Sequence, residues 1–212
     1  MDTNKPTITV VLTGGGSGGH ITPLLSLARA LKLFEPTCRV VYIGLRGEKI
    51  GGLAERFQVF DEIYYVPAGK FRRYHGESLL AHLVDVRTMM LNVRDFFRVI
   101  RGIFSARRIL KQIGPDVVFS KGGFVAVPVG IASRLLHVPI VTHDSDSLAG
   151  LANRIVGRWA VVHATGMPAD GYSYPKKTIR YVGIPVDERI KPVSLAAQAD
   201  FKRQIGAGAD EH

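Results

Sequence analysis

Between Thr13 and His20 the chain reads Thr-Gly-Gly-Gly-Ser-Gly-Gly-His, with five glycines in six positions. Glycine lets the backbone turn tightly and approach a ligand with no Cβ in the way. An apolar helical pattern follows. The free N–H groups and positive dipole end of that helix suit an anion, most often a phosphate. Gly16, Ser17, Gly18 and Gly19 are the candidate phosphate cradle. No Gly-Lys-Ser/Thr follows, which excludes a Walker A loop. Gly14-x-Gly16-x-x-Gly19 does match the dinucleotide fingerprint, but that fingerprint also wants a carboxylate at the end of the second strand. Here that strand ends Ile43-Gly44-Leu45-Arg46. NAD is therefore set aside, and NADP, with Arg46 on its extra phosphate, stays open.

A second glycine site, Ser120-Lys121-Gly122-Gly123-Phe124, holds the same place after the fourth expected strand. Gly122 and Gly123 either meet a second part of an extended diphosphate ligand or form an ordinary turn. His20 opens the first helix, whose N-terminus favours a neutral imidazole able to accept a proton. It is either a general base or a residue that ties the loop. A third strand end carries His143-Asp144-Ser145-Asp146, with Asn153 shortly after. Two carboxylates and a histidine so close in sequence are a poor metal-ligand set. Such clusters more often cap the next helix, although the place suits a catalytic carboxylate, and Asp144 is the candidate.

Charge is localised. From Lys70 to Lys111 there are ten Lys or Arg against three Asp or Glu, so this stretch carries most of the net +10. Within it Leu79, Leu83, Val86, Met90, Val93, Phe97, Ile100 and Phe104 recur at helical steps and predict a core-facing stripe. Arg87, Arg94, Arg98 and Arg101 run along the flank. Further apolar residues, Met89, Phe96, Val99 and Ile103, exceed one buried face. Apolar surface beside arginines suits an anionic membrane surface, with Arg94, Phe96, Arg98, Arg101 and Ile103 as the contact set. Nucleic acid fits this apolar patch poorly.

The elements that must position these residues alternate. Strands are expected at 8–13, 39–43, 62–66, 116–120, 139–143, 160–165 and 178–182. Helices are expected at 21–33, 79–110 with a break near Gly102, 124–136 and 148–158, and at 194–205 from a serine cap. Such alternation predicts an α/β fold, a Rossmann-like parallel sheet with helices on both faces. The 212 residues suffice for one large domain with a true core, and 46% hydrophobic against 22% charged residues excludes a disordered or fibrous chain. The one cysteine, Cys38, excludes an internal disulfide framework and fits a reducing compartment. The polar start, Met1 to Thr7, does not read as a signal peptide.

In order and spacing these motifs resemble the MurG-like glycosyltransferases of family 28, which add N-acetylglucosamine to lipid I in bacterial peptidoglycan synthesis. The family loop Gly-Gly-Thr-Gly-Gly-His stands here as Gly15-Gly16-Ser17-Gly18-Gly19-His20. Its Gly-Gly-Tyr with a nearby proline stands as Gly122-Gly123-Phe124 with Pro128. Its His-Glu-Gln-Asn followed by Pro-Gly-Leu-x-Asn stands as His143-Asp144-Ser145-Asp146 followed by Ala149-Gly150-Leu151-Ala152-Asn153. Its Gly-Asn-Pro-Val-Arg hinge stands as Gly183-Ile184-Pro185-Val186-Asp187.

The resemblance implies the N-terminal half of a GT-B glycosyltransferase. Residues 1–190 would be the acceptor- and membrane-binding domain, and residues 191–212 the start of a linker to a C-terminal donor domain. It implies UDP-N-acetylglucosamine as donor and a polyprenyl-diphosphate-linked sugar as acceptor. It also implies peripheral attachment to the cytoplasmic face of the membrane, with no cofactor and no metal. His20 would be the base, with Asp144 in place of the family glutamate. Asp146 would stand where an asparagine holds the donor, and Asn153 would border the acceptor cleft. Asp146, Ile184 and Asp187 depart from the family pattern where the donor is met. The readings beside it are a split transferase subunit, an NADP-dependent Rossmann enzyme, and a non-enzymatic module that binds phosphorylated lipid.

Overall fold

The computed structural model describes residues 8–15, 18–47, 57–70, 86–187, 190–191, 193–204 and 206. Gly16 and Ser17 of the expected phosphate cradle lie outside these residues, as do Leu79 and Leu83 of the expected stripe.

Seven strands form one sheet: β1 (Thr9–Gly15), β2 (Arg39–Leu45), β3 (Glu62–Val66), β4 (Val117–Gly123), β5 (Ile140–Asp144), β6 (Val162–Thr165) and β7 (Ile179–Tyr181). Their order is β3-β2-β1-β4-β5-β6-β7, and every adjacent pair is parallel. The chain winds outward from β1 to β3, crosses back, and winds outward again from β4. The reversal falls between β1 and β4, which is where open sheets of this kind leave a crevice at their carboxyl ends.

Side-chain alternation along the strands divides the core into two layers. Val10, Leu12, Val40 and Tyr42 pack with Ile21, Leu24 and Ala28 of α1 (Gly18–Phe34). Val11, Val41, Ile43 and Val118 face the other side. There they meet α2 (Val86–Ile113) and α3 (Ala126–Leu135) through Ala106, Leu110, Ile113, Val129 and Ala132. The chain continues through α4 (Leu151–Val156) and ends in α5 (Leu195–Gln204), where the Ser194 hydroxyl accepts from Ala197 N, as expected of a serine cap.

Three elements differ from the sequence expectation. Helix α1 starts at Gly18 rather than Ile21, so Pro23 lies inside it. Proline there removes the bond to the Gly19 carbonyl. Helix α2 shows no break at Gly102. A Cβ at that position would lie 2.2 Å from Pro67 O and 3.0 Å from Pro128 Cβ, so this glycine is a close-packing point against the neighbouring chain. Helix α4 starts at Leu151 rather than Leu148, because Asp144 Oδ1 accepts from Gly150 N at 3.0 Å and holds the preceding residues as a loop.

The largest correction concerns the face of α2. Met90, Val93, Phe97 and Phe104, expected in the core, are exposed, Phe97 by 59% and Phe104 by 70%. The buried residues are Asp95, Val99, Gly102, Ala106, Leu110 and Ile113. Small side chains let α2 approach its neighbours closely, and bulky phenylalanines at the same contact would hold it off. Periodicity finds a stripe but does not tell which of two stripes turns inward.

Candidate functional site

A cavity of about 370 Å³ opens at the carboxyl ends of the central strands. Its polar lining includes His20, Lys121, His143, Asp144, Asp146 and Asn153. Its apolar lining includes Val99 of α2, Phe124, Val127, Leu151 and Ile155.

The two glycine sites touch each other, as their matching positions suggested. Gly15 and Gly123 are register partners, and a Cβ on Gly123 would lie 2.0 Å from Gly15 O. Gly122 and Gly123 close β4 with φ of +90° and +82°, a left-handed backbone that side chains resist. Both line the cavity. Gly18 and Gly19 form the first turn of α1, whose N-terminus faces the same strand ends.

His20, third in α1, places Nδ1 3.2 Å from the Lys121 carbonyl. A carbonyl only accepts, so Nδ1 carries the hydrogen and Nε2 keeps its lone pair. Burial lowers the His20 pKa, and the nearby Lys121 charge lowers it further. The imidazole is thus held neutral in the tautomer that a general base requires.

Asp144 has a different situation. Its Oδ1 accepts from Gly150 N and from Asn153 Nδ2, each at 3.0 Å, and its Oδ2 accepts from Tyr174 Oη at 2.9 Å. Tyr174 stacks on His163 with ring centroids 3.7 Å apart, and the Thr142 hydroxyl meets His163 Nδ1 at 2.8 Å. Burial and the Asp144 charge both push the Tyr174 pKa well up, so the phenol stays a donor. Asn153 is buried and fully engaged. Its Nδ2 also donates to His143 O at 2.9 Å, and its Oδ1 accepts from Ser120 Oγ at 3.0 Å. The Ser120 hydroxyl oxygen accepts in turn from Gly122 N at 3.2 Å. The Asp144–Asn153–Ser120 chain therefore ties the ends of β4 and β5 to α4, and these side chains shape the cavity.

Asp146 lies exposed at the cavity mouth. His143 is fully buried and donates from Nε2 to Gly183 O at 3.0 Å, which anchors the segment after β7. Asp187 is ion-paired to Arg29 of α1. It therefore joins that segment to the first helix, where the sequence had suggested a place near the donor diphosphate. Among the described residues no cluster of three or more metal-ligating side chains occurs.

On α2, Arg94, Phe96, Arg98 and Arg101 are exposed, whereas Ile103 is half-buried. Arg94 and Arg98 both pair with Asp95, a carboxylate only 1% exposed, at 3.2 and 3.1 Å. None of the described helices is long and apolar enough to cross a membrane.

Sequence reasoning passed over Lys121 and Tyr174. Lys121 was legible as a lysine inside a glycine motif at a strand end. Tyr174 lies 30 residues from Asp144, and no local pattern connects them.

Residues 10–164 match the N-terminal domain of glycosyltransferase family 28. The UDP-N-acetylglucosamine–N-acetylmuramyl-(pentapeptide) pyrophosphoryl-undecaprenol N-acetylglucosamine transferase of Lachnospira eligens is 37% identical over 192 residues, which are 91% of this chain and 49% of that enzyme. The enzyme of the same description from Shouchella clausii is 37% identical over 201 residues, 92% of this chain and 51% of its own length. Among solved structures, Acinetobacter baumannii MurG superposes with a TM-score of 0.65 at 24% identity, covering 89% of this chain and 48% of MurG. Anabaena Alr3699/HepE in complex with UDP and glucose reaches 0.55 at 13% identity, over 94% of this chain and 50% of HepE. The chain spans about half the length of the curated relatives it matches. Its seven-stranded parallel sheet matches the N-terminal half of GT-B glycosyltransferases. By sequence and by fold, the chain belongs to glycosyltransferase family 28 and carries the N-terminal domain of that family, of the MurG-like kind.

Proposed function

We propose that this chain is the acceptor half of an inverting transferase that moves N-acetylglucosamine from UDP-N-acetylglucosamine to a polyprenyl-diphosphate-linked N-acetylmuramoyl-pentapeptide. The donor would be met by a C-terminal domain or partner chain. The observation that carries this reading is His20, neutral and with Nε2 open, between two glycine sites at the sheet's reversal point. The acceptor hydroxyl attacks the anomeric carbon of the donor sugar. His20 Nε2 takes the hydroxyl proton as the new C–O bond forms. The old bond breaks towards UDP, which leaves with its electron pair. Asp144, committed to three donors, orders the loop around the acceptor. Gly18, Gly19, Gly122 and Gly123 would border the diphosphate, with Asn153 holding their framework and Asp146 at the donor side. No cofactor or metal is invoked. The exposed apolar stripe and arginines of α2 support peripheral attachment at the cytoplasmic face of the membrane. Family membership favours this reading over the nicotinamide one.

The test uses the chain joined to a family 28 donor domain. His20→Ala should lower turnover about a hundredfold to ten-thousandfold, with a smaller change in acceptor affinity. A mutant whose rate is restored by saturating acceptor would make His20 a loop residue and remove the base from this mechanism.

A further inference from the structure

We infer that Lys121 is the cation that binds the ligand's diphosphate, an assignment that rests on the acceptor-domain reading. Lys121 stands near the end of β4, lines the cavity, and is only 4% exposed. Among the described residues no side chain or carbonyl takes a hydrogen bond from its ammonium, and no carboxylate lies within ion-pair distance. A largely buried charge with no ion pair is unfavourable, and an anion entering the cavity would stabilise it. Asp144 and Asp146 both favour the Lys121 charge, but from beyond ion-pair distance. Asp144 is already held by three other donors, and Asp146 is exposed at the mouth.

The surroundings point to an anion rather than to a hidden internal pair. The stem of Lys121 lies against the first glycine segment, where a Cβ on Gly14 would come within 3.0 Å of Lys121 Cβ. The Lys121 carbonyl holds His20, so the first turn of the 17-residue helix α1 lies beside the end of β4. Lys121 and His20 of that first turn both line the cavity. Burial lowers the Lys121 pKa, the Asp144 and Asp146 charges act the other way, and an incoming phosphate would stabilise the charged form further. The same cavity is also lined by the apolar side chains of Val99, Phe124, Val127, Leu151 and Ile155. It suits a prenyl chain attached to the diphosphate better than a uridine. The lysine would neutralise the diphosphate and fix the acceptor sugar at a set distance from His20.

The experiment titrates the 212-residue chain with inorganic pyrophosphate, farnesyl diphosphate and UDP by calorimetry. Lys121→Met preserves the buried stem without the charge. Lys121→Gln is the second variant should the first fail to fold, and circular dichroism checks both. The expected result is that farnesyl diphosphate binds the unaltered chain and binds the variants about ten- to a hundredfold more weakly, with UDP unaffected. Equal affinities of the unaltered chain and the variants for farnesyl diphosphate overturn the lysine assignment and leave the acceptor reading in place. Lysine-dependent binding of UDP but not of farnesyl diphosphate keeps Lys121 as a diphosphate cation and overturns the acceptor reading. Failure of all three probes to bind the unaltered chain overturns both.

Discussion

Tyr174 donates its hydroxyl to Asp144 at 2.9 Å across 30 residues of chain, and in doing so occupies the one oxygen of that carboxylate that the α4 loop leaves free. The relation decides between two acid–base candidates. Asp144 has no oxygen left that is unengaged, while His20 has an open ring nitrogen. In the joined transferase, Asp144→Asn should therefore reduce turnover less than His20→Ala. Steady-state kinetics on both variants checks this, and a larger loss in Asp144→Asn would transfer the base role.

Tyr174→Phe isolates the hydrogen bond, since the phenyl ring can keep its stack on His163. Loss of this bond should lower the unfolding free energy by about 1–2 kcal/mol, read from urea denaturation. An unchanged urea midpoint would mean that the loop does not depend on Tyr174.

The pair Gly123 and Gly15 gives a backbone test. Alanine at Gly123 combines φ +82° with a Cβ 2.0 Å from Gly15 O. Gly123→Ala should destabilise the fold by at least about 1–3 kcal/mol and separate the two glycine segments. Thermal melting checks it, and an unaltered melting temperature would contradict the close approach.

Membrane attachment is best tested on apolar residues. Glutamate at Arg94 or Arg98 would place a second carboxylate beside buried Asp95 and so disturb the fold as well as the surface charge. Phe97→Ser and Phe104→Ser change exposed side chains and should leave the melting temperature within a degree or so. Sedimentation with anionic vesicles should fall in both. Arg101→Glu should weaken it further at low salt, by about 1 kcal/mol per charge removed. Equal sedimentation of all variants would remove α2 as the contact.

Buried histidines set the response to acid. Burial lowers the pKa of both His143 and His163 from the ordinary 6.5. Below that value the unfolded chain takes up protons that the folded chain refuses, so stability falls as the pH drops from about 6.5 towards the native values. Urea midpoints should be lower at pH 5.5 than at pH 7.5. Replacing His163 by Gln should narrow the difference, and an unchanged difference would move the effect elsewhere.

The sheet was legible because its strands are apolar runs that announce burial on both faces, as in Val10 to Leu12 and Val40 to Ile43. The contact between the two glycine segments was legible for a related reason. Glycines at Gly14 to Gly19 and Gly122 to Gly123 have little use in strand interiors, so they mark close backbone approach. The family followed from the order of those motifs.

Which face of α2 turns inward was not legible, because two apolar stripes share that helix. The choice rests on Gly102 fitting against the chain at Pro67 and Pro128, and on Ala106 packing into the core beneath the sheet. Nor could the sequence assign Asp144 and Lys121 their roles. The second oxygen of Asp144 was engaged only when the chain between β6 and β7 brought Tyr174 against it, and Lys121 became a buried lysine with no ion pair among the described residues only when the strand ends closed around it. Local pattern determined the elements and the glycine-rich strand ends, since these depend on neighbours in sequence. Partnership and burial, which settle whether a charged side chain orders the protein or meets a ligand, arise from residues far apart in the chain and were decided by the tertiary structure.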